Sequence, residues 1–287
     1  MSTLPAVDPP PTVDVTLILP CYHAAPYLAE SLRDAARFLD TLGCSWEILA
    51  VDDGSRDKDA TWNRIVEAAR EEPRVRPLRL PRNQGKGGAV RHGVLEARGR
   101  HIVFTDADLP YRFRDLRAVV HFLREGRCDM VMGDRLLPGS SYRGEINRTR
   151  GWMSAAFSRF VEFLFTPGVF DTQCGLKGFS APVARGLARL QRIRGFAFDI
   201  EYIYIALKHR VAIKRIPVVL RRNESSTLTA MNAFLEILVD LLRVWVHRFM
   251  GRYDDPALLE YALRDYTALM RSFDEETGND RPDGPTP

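Results

Sequence analysis

The chain has 287 residues, 45% hydrophobic and 27% charged, enough for one large α/β domain with an appendage or for two small domains. Its net charge of +4 hides an asymmetry: residues 254–287 carry nine acidic and three basic side chains, so the rest is more basic than the whole and suits nucleotides, phosphates, nucleic acid or an anionic membrane face. Four scattered cysteines, with no CxxC pair and no histidine at zinc-finger spacing, exclude a disulfide-stapled or zinc-finger scaffold and read as reduced cytosolic thiols, mostly buried.

The opening MSTLPAVDPPPTVD lacks the basic and apolar regions of a signal peptide, and residues 1–12 read as a flexible leader. Residues 15–19 form an apolar run ending at Pro20, a buried strand. Helical periodicity follows over 25–42 and stops at Gly43. Strands are expected at 47–51, 75–80 and 101–105, separated by helices at 57–70 and 87–97. This alternation predicts a largely parallel, doubly wound sheet, with ligands at the carboxyl ends of its strands. Farther on, strands are expected at 129–133, 178–180 and 212–219, and helices at 148–165, 198–209, 229–250 and 256–272. No stretch is apolar for the roughly 18 residues of a membrane span, and residues 273–287 read as disordered.

Asp106-Ala107-Asp108 follows the strand at 101–105. Strand residues two apart share a face, so both carboxylates can converge on one hard cation, Mg²⁺ or Mn²⁺, that completes its shell with phosphate oxygens. The alternative is a polar turn capping the next helix. Asp52-Asp53-Gly54-Ser55 ends another strand, and an aspartate there can accept hydrogen bonds from a ribose or base. Alternatively the segment is a turn in which Ser55 or Asp57 starts a helix. Arg82–Gly88 is a glycine-rich turn whose backbone N–H groups and Lys86 can meet phosphate, although it is neither a Walker loop nor GxGxxG. A turn that packs helix against sheet is the other reading.

Lys208–Arg222 holds six Lys or Arg, with no acid and no aromatic residue. Arg135, Arg143, Arg148 and Arg150 add to it. Without interleaved aromatics this points to phosphate or anionic lipid headgroups, not nucleic acid. The helix at 229–250 is amphipathic: Glu236, Asp240, Arg243 and His247 form a polar stripe, and Leu235, Leu238, Leu242, Trp245 and Phe249 an apolar face. That face either packs on the core or lies in a membrane interface.

Together these motifs resemble the family 2 inverting glycosyltransferases, in particular the dolichyl- or polyprenyl-phosphate glucosyltransferase group. The matching pieces are Val51–Ser55, Asn83–Arg91, Thr105–Leu109, Gly133–Arg135, Asp171–Lys177 and Phe196–Glu201, in the family's order over about residues 13–225. The resemblance implies a GT-A fold, Rossmann-like with a mostly parallel sheet flanked by helices, over residues 13–228, with C-terminal amphipathic helices over 229–272. It implies a divalent metal and a nucleotide-sugar donor, UDP-glucose foremost. By that likeness Asp52 and Asp53 hold the nucleoside, Asp108 the metal, and Asp106 the donor sugar or diphosphate. The sequence departs from the family at Pro20-Cys21-Tyr22-His23-Ala24-Ala25, where relatives read Pro-x-Tyr-Asn-Glu-Glu, and at Asp134, where they carry serine.

A polyprenyl-phosphate acceptor is already anionic and needs placement, assigned to Arg135, Arg148 and Arg150. A hydroxyl acceptor needs a general base, for which Asp199 is the candidate unless it merely caps the helix from Ile200. The expected activity is glucosyl transfer to polyprenyl phosphate by a cytoplasmic enzyme peripheral to the inner face of the membrane. The alternatives are transfer to a soluble hydroxyl acceptor and a catalytically silent nucleotide-sugar-binding module.

Overall fold

Strand β1 (Val13–Cys21) carries the apolar run Leu17–Leu19, and the fold buries both of its sides there. Leu17 and Leu19 enter one core layer and Ile18 the other, and β2 (Trp46–Asp52) divides likewise, with Ile48 and Ala50 on one side and Leu49 and Val51 on the other. Such strands belong inside a parallel sheet with both faces covered. The computed structural model describes residues 11–141, 157–221 and 230–264. Five further strands are present: β3 (Val75–Arg79), β4 (Gly99–Phe104), β5 (Met130–Asp134), β6 (Lys177–Ser180) and β7 (Ile213–Pro217). The sheet order is β3-β2-β1-β4-β6-β5-β7, parallel except that β6 runs against both of its neighbours.

Helices α1 (Ala25–Asp40), α2 (Ala60–Glu71) and α4 (Phe113–Arg124) cover one face through residues such as Leu28, Ile65 and Leu116. On the other face lie α3 (Lys86–Glu96), α5 (157–164), α6 (Ala181–Leu190) and α7 (Phe198–Lys208), joined by α8 (Ala230–Phe249) and α9 (256–264). The doubly wound expectation holds, and the elements expected up to residue 105 lie within three residues of their observed bounds. Sequence reasoning passed over α4 and α6. Leu116, Val119, Val120 and Leu123 recur at helical spacing in α4 and could have revealed it. Helix α6 also carries helical spacing, with Val183, Leu187 and Leu190 on one face and Arg185 and Arg189 opposite, although all of it but Pro182 and Arg189 is buried.

Two local readings change. Helix α2 begins at Ala60, and its first turn is held by Asp57, whose Oδ2 accepts from the backbone N–H and the hydroxyl of Thr61. In α8 the apolar stripe does not face the core; of the polar stripe only Asp240 is buried, while Glu236 and Arg243 are exposed. Asp240, Leu241 and Val244 face inward, while Leu235, Leu242, Trp245 and Phe249 are exposed. The apolar stripe is therefore not a core face among the described residues. No described helix is long and apolar enough to cross a membrane. Most of the expected leader, the start of the helix expected over 148–165 and the boundary at 228–229 lie outside the described residues. So do Arg143, Arg148, Arg150 and the tail.

Candidate active site

Parallel strands bring β1, β2 and β4 to a common carboxyl edge, and the order reverses between β1 and β4, where α/β sheets open a crevice. The antiparallel β6 adds a loop that a parallel strand could not deliver. Phe104 pairs with Lys177, so the chain enters β6 at the edge where β4 leaves. Asp171–Gly175 thereby comes to lie beside Asp106–Asp108.

The Asp52–Ser55 turn is internally braced. Asp52 is fully buried, its Oδ1 accepts from the Ser55 N–H at 3.0 Å, and Arg79 Nε stands 3.3 Å from Oδ2. Asp53 Oδ1 accepts from the Gln84 N–H at 2.7 Å, tying this turn to the glycine-rich one. Burial pushes the Asp53 carboxyl up to about 6, opposed by the Gln84 and Gly85 amides. At the end of β1 the His23 N–H donates to Ser55 Oγ, and His23 Nε2 accepts from the Arg56 N–H, so histidine ties the loop to the Asp52–Ser55 turn. Gly54–Arg56 and Arg79–Arg82 line an open cavity of about 360 Å³ whose rim carries Arg56, Arg79 and Arg82.

Asp106 and Asp108 do not sit on a strand. β4 ends at Phe104, and the Leu109 N–H closes a turn on the Asp106 carbonyl at 3.0 Å. Side-chain alternation therefore does not apply, and the two acids have different surroundings. Asp106 pairs with Lys86 Nζ and rests on the bare Cα of Gly175, where any Cβ would collide with Asp106 Oδ2. Asp108 lines a small cleft with Glu30, Ser31, Asp34, Leu109 and Arg221. Burial works against the Lys86 ammonium, but the charges of Asp106 and Asp199 outweigh it and the net shift is upward.

Beneath this pair lies a second one that sequence reasoning did not find. Lys177 is fully buried, and its Nζ donates to Asp199 Oδ1 at 2.6 Å, to the Cys174 carbonyl at 2.6 Å and to the Thr172 carbonyl at 3.1 Å. From the other side the Tyr111 hydroxyl accepts from the Gly175 N–H at 2.9 Å. Asp199 is no helix cap; Ala197 holds that position, and Asp199 lies in the first turn of α7. Burial raises its carboxyl, with Lys177 and Lys86 opposing. Among the described residues Asp199 is the carboxylate in direct contact with Lys177. Lys177→Met is expected to destabilise the fold by about 3–5 kcal/mol, the cost of stranding a buried charge; denaturant titration checks it, and a loss below about 1 kcal/mol would contradict the pairing.

Arg135 is bound to Asp171 through its backbone N–H, Nε and Nη2, at 2.6, 3.0 and 2.7 Å. That pair leaves Nη1 over. Asp134 accepts from the Leu136 N–H and faces Arg215. The described structure thus gathers Asp53, Lys86, Asp106 and Asp199 around the glycine-rich turn and links Arg135 to the Asp171–Gly175 loop. Tyr111 and Lys177 were missed because their importance lies in backbone atoms they hold, which no spacing records.

Acidic turns on the carboxyl edge of a mostly parallel sheet with one reversed strand define a glycosyltransferase of the GT-A type. The chain belongs to glycosyl transferase family 2, whose profile matches residues 16–187. It is similar to the dolichyl-phosphate β-glucosyltransferase of Dictyostelium discoideum, with 31% identity over 255 residues, 85% of this chain and 77% of that one. The Drosophila melanogaster enzyme of the same name is 29% identical over 265 residues, 88% of this chain and 80% of its own. In fold it is similar to the glucosyl-3-phosphoglycerate synthase of Mycobacterium tuberculosis in a complex with Mn²⁺, UDP and glucosyl-3-phosphoglycerate, at a TM-score of 0.59 and 18% identity over 81% of this chain and 80% of that one.

Proposed function

We propose that the protein transfers a glucosyl group from UDP-glucose to a polyprenyl or dolichyl phosphate, using Mg²⁺ or Mn²⁺, at the cytoplasmic face of a membrane. The observation that carries this reading is the match to dolichyl-phosphate β-glucosyltransferases over 85% of the chain. Support for the donor and metal comes from the M. tuberculosis enzyme of the same fold, solved with UDP-glucose and Mn²⁺ and with UDP and Mg²⁺.

Among the described residues no cluster of three or more His, Cys, Asp or Glu gathers to hold a metal, so a hard divalent cation would take a single carboxylate here and fill its shell from the donor. Lys86 neutralises one oxygen of Asp106 and the other rests on Gly175, which leaves Asp108 as the carboxylate of this turn to hold the metal together with donor phosphate oxygens. The bound metal supplies positive charge for the departing diphosphate. Lys86 adds a cation on the same side, and Asp106 orients it. Asp52 and Asp53 shape the nucleoside end of the crevice. A lipid phosphate is substantially ionised above about pH 6, so it attacks the anomeric carbon without a general base, from the face opposite the diphosphate, and inverts it. Asp199, committed to Lys177, suits this anionic acceptor better than a hydroxyl one. Arg135, with Arg148 and Arg150, is assigned to the acceptor phosphate. Purified protein with Mn²⁺, polyprenyl phosphate and a panel of nucleotide sugars tests the reading: glucolipid formed from UDP-glucose is expected. Transfer to water-soluble hydroxyl acceptors alone would overturn it.

The membrane part rests on an exposed apolar surface. Leu242, Trp245 and Phe249 of α8 are 61%, 45% and 69% exposed, and Phe160 and Phe163 of α5 are 49% and 82% exposed. The two helices meet where Arg248 Nη1 donates to the Leu164 carbonyl. Arg159, Arg243 and Arg248 flank these residues, and each cation that reaches an anionic surface contributes about 1 kcal/mol. Trp245→Glu is expected to cut flotation with anionic liposomes about tenfold at unchanged melting temperature. Equal flotation of the variant would remove α8 from the docking surface.

A further inference from the structure

Residues 191–195, between α6 and α7, form a strap across the glycine-rich turn. The Arg194 carbonyl accepts from the Gly88 N–H at 3.1 Å, and Gln191 Nε2 donates to the Gly87 carbonyl at 2.8 Å. A Cβ on Gly85 would stand 2.6 Å from the Arg194 oxygen, and one on Gly87 would stand 2.6 Å from Phe198 Cβ. Gly85 also takes a φ of 82°, in the region that side chains disfavour. These two glycines are bare because the strap and α7 close over them. The turn that presents Lys86 to Asp106 therefore takes its position from the strap.

The strap is held in turn by one carboxylate. Glu201 of α7 is fully buried; its Oε1 accepts from the Arg192 N–H at 2.8 Å and from the Tyr253 hydroxyl at 2.6 Å, and its Oε2 accepts from the Ile193 N–H at 2.9 Å. Tyr253, itself fully buried, follows α8, and α8 also sets Asp240 against Gly195, where a Cβ would lie 2.8 Å from Oδ2. Burial pushes the Glu201 carboxyl up to about 7, and the Tyr253 hydroxyl, the two strap amides and the Arg192 charge work against that rise. A buried carboxylate costs several kcal/mol unless its lone pairs are satisfied, so an apolar residue would serve packing alone more cheaply. Here the carboxylate gathers three donors, two of them from the strap.

We propose that Glu201, with Tyr253, is a positioning residue for the donor: it fixes the 191–195 strap and through it the glycine-rich turn that carries Lys86. This rests on the reading of that turn as the nucleotide-sugar site. Tyr253→Phe removes one donor and keeps the ring. Glu201→Gln keeps the shape and replaces one acceptor oxygen with an amide. Both are made in the full chain, and three quantities are read: melting temperature, the KM values for UDP-glucose and polyprenyl phosphate, and backbone amide exchange over residues 85–90.

A hydrogen bond to a buried anion is strong enough for its loss to change an equilibrium about tenfold. Tyr253→Phe is expected to speed exchange at Gly88 by about that factor and to raise the KM for UDP-glucose several-fold, with the acceptor KM within about twofold of the parent. Glu201→Gln should do the same more strongly. Should Glu201→Gln not fold, Tyr253→Phe alone decides the matter. Exchange over 85–90 unchanged in the folded variants, or both KM values rising together, overturns the proposal and leaves Glu201 a stabiliser of α7. The exchange measurement needs no substrate, so a wrong donor assignment shows separately, as absence of UDP-glucose turnover in the parent protein.

Discussion

Asp108→Asn is expected to lower turnover by about 10²–10³-fold, the usual cost of removing one electrostatic partner of a developing charge, while the melting temperature stays near that of the parent. Asp108 is partly exposed, and among the described residues no side-chain hydrogen bond or ion pair depends on its charge. Asp106 is partly exposed too, but it is paired with Lys86 and seated on Gly175. Stability and activity should therefore separate at Asp108. Raising Mn²⁺ should recover part of the lost rate, since an amide oxygen remains a weak ligand. A variant with near-parental turnover at limiting Mn²⁺ would move the metal away from this carboxylate.

Gly175→Ala should be nearly as damaging, although it removes no functional group. The added methyl would collide with Asp106 Oδ2, so either the Asp106 carboxylate or the Asp171–Gly175 loop must shift. The loop is restrained, because the Tyr111 hydroxyl holds the Gly175 N–H and Lys177 holds the Cys174 carbonyl. Asp106 is the part free to yield, and Lys86 moves with it. A displacement of about 1 Å at a reacting centre costs on the order of 10²-fold, and that loss in kcat is expected. Gly175→Ala with unchanged kcat would show that the position of Asp106 matters little to the reaction.

The first half of the fold is legible because β2 and the end of β1 are near-continuous apolar runs and α1 and α2 are amphipathic, so hydrophobic period and glycine punctuation agree. Helix α6 was passed over although Val183, Leu187 and Leu190 recur at helical spacing opposite Arg185 and Arg189. The reversed direction of β6 was also illegible: four residues, Lys177–Ser180, carry no sign of their orientation, yet that reversal brings Asp171–Gly175 to the acids. Of the site, the acidic and glycine-rich turns could be read as motifs, because a carboxylate or a bare Cα at a strand end is a local signal. The pairing of Lys86 with Asp106 and of Lys177 with Asp199 could not, since each joins residues far apart in the chain. In α8 the period was legible, but whether the apolar stripe packs on the core or stays outside it was left open by the sequence, and the structure leaves it largely exposed. Asp240 faces inward beside Gly195 while Trp245 faces out, because the stripe buried is the one that meets the strap.

The proposed reaction transfers glucose to a lipid phosphate with inversion. The most direct measurement is ¹³C NMR of the lipid fraction after incubating the full chain with Mn²⁺, polyprenyl phosphate and UDP-glucose labelled at the anomeric carbon. One labelled product is expected, glucose β-linked to the lipid phosphate, formed at a rate that falls with Asp108→Asn. Label confined to UDP-glucose, free glucose or a water-soluble glucoside, or an α-linked lipid product, would contradict it.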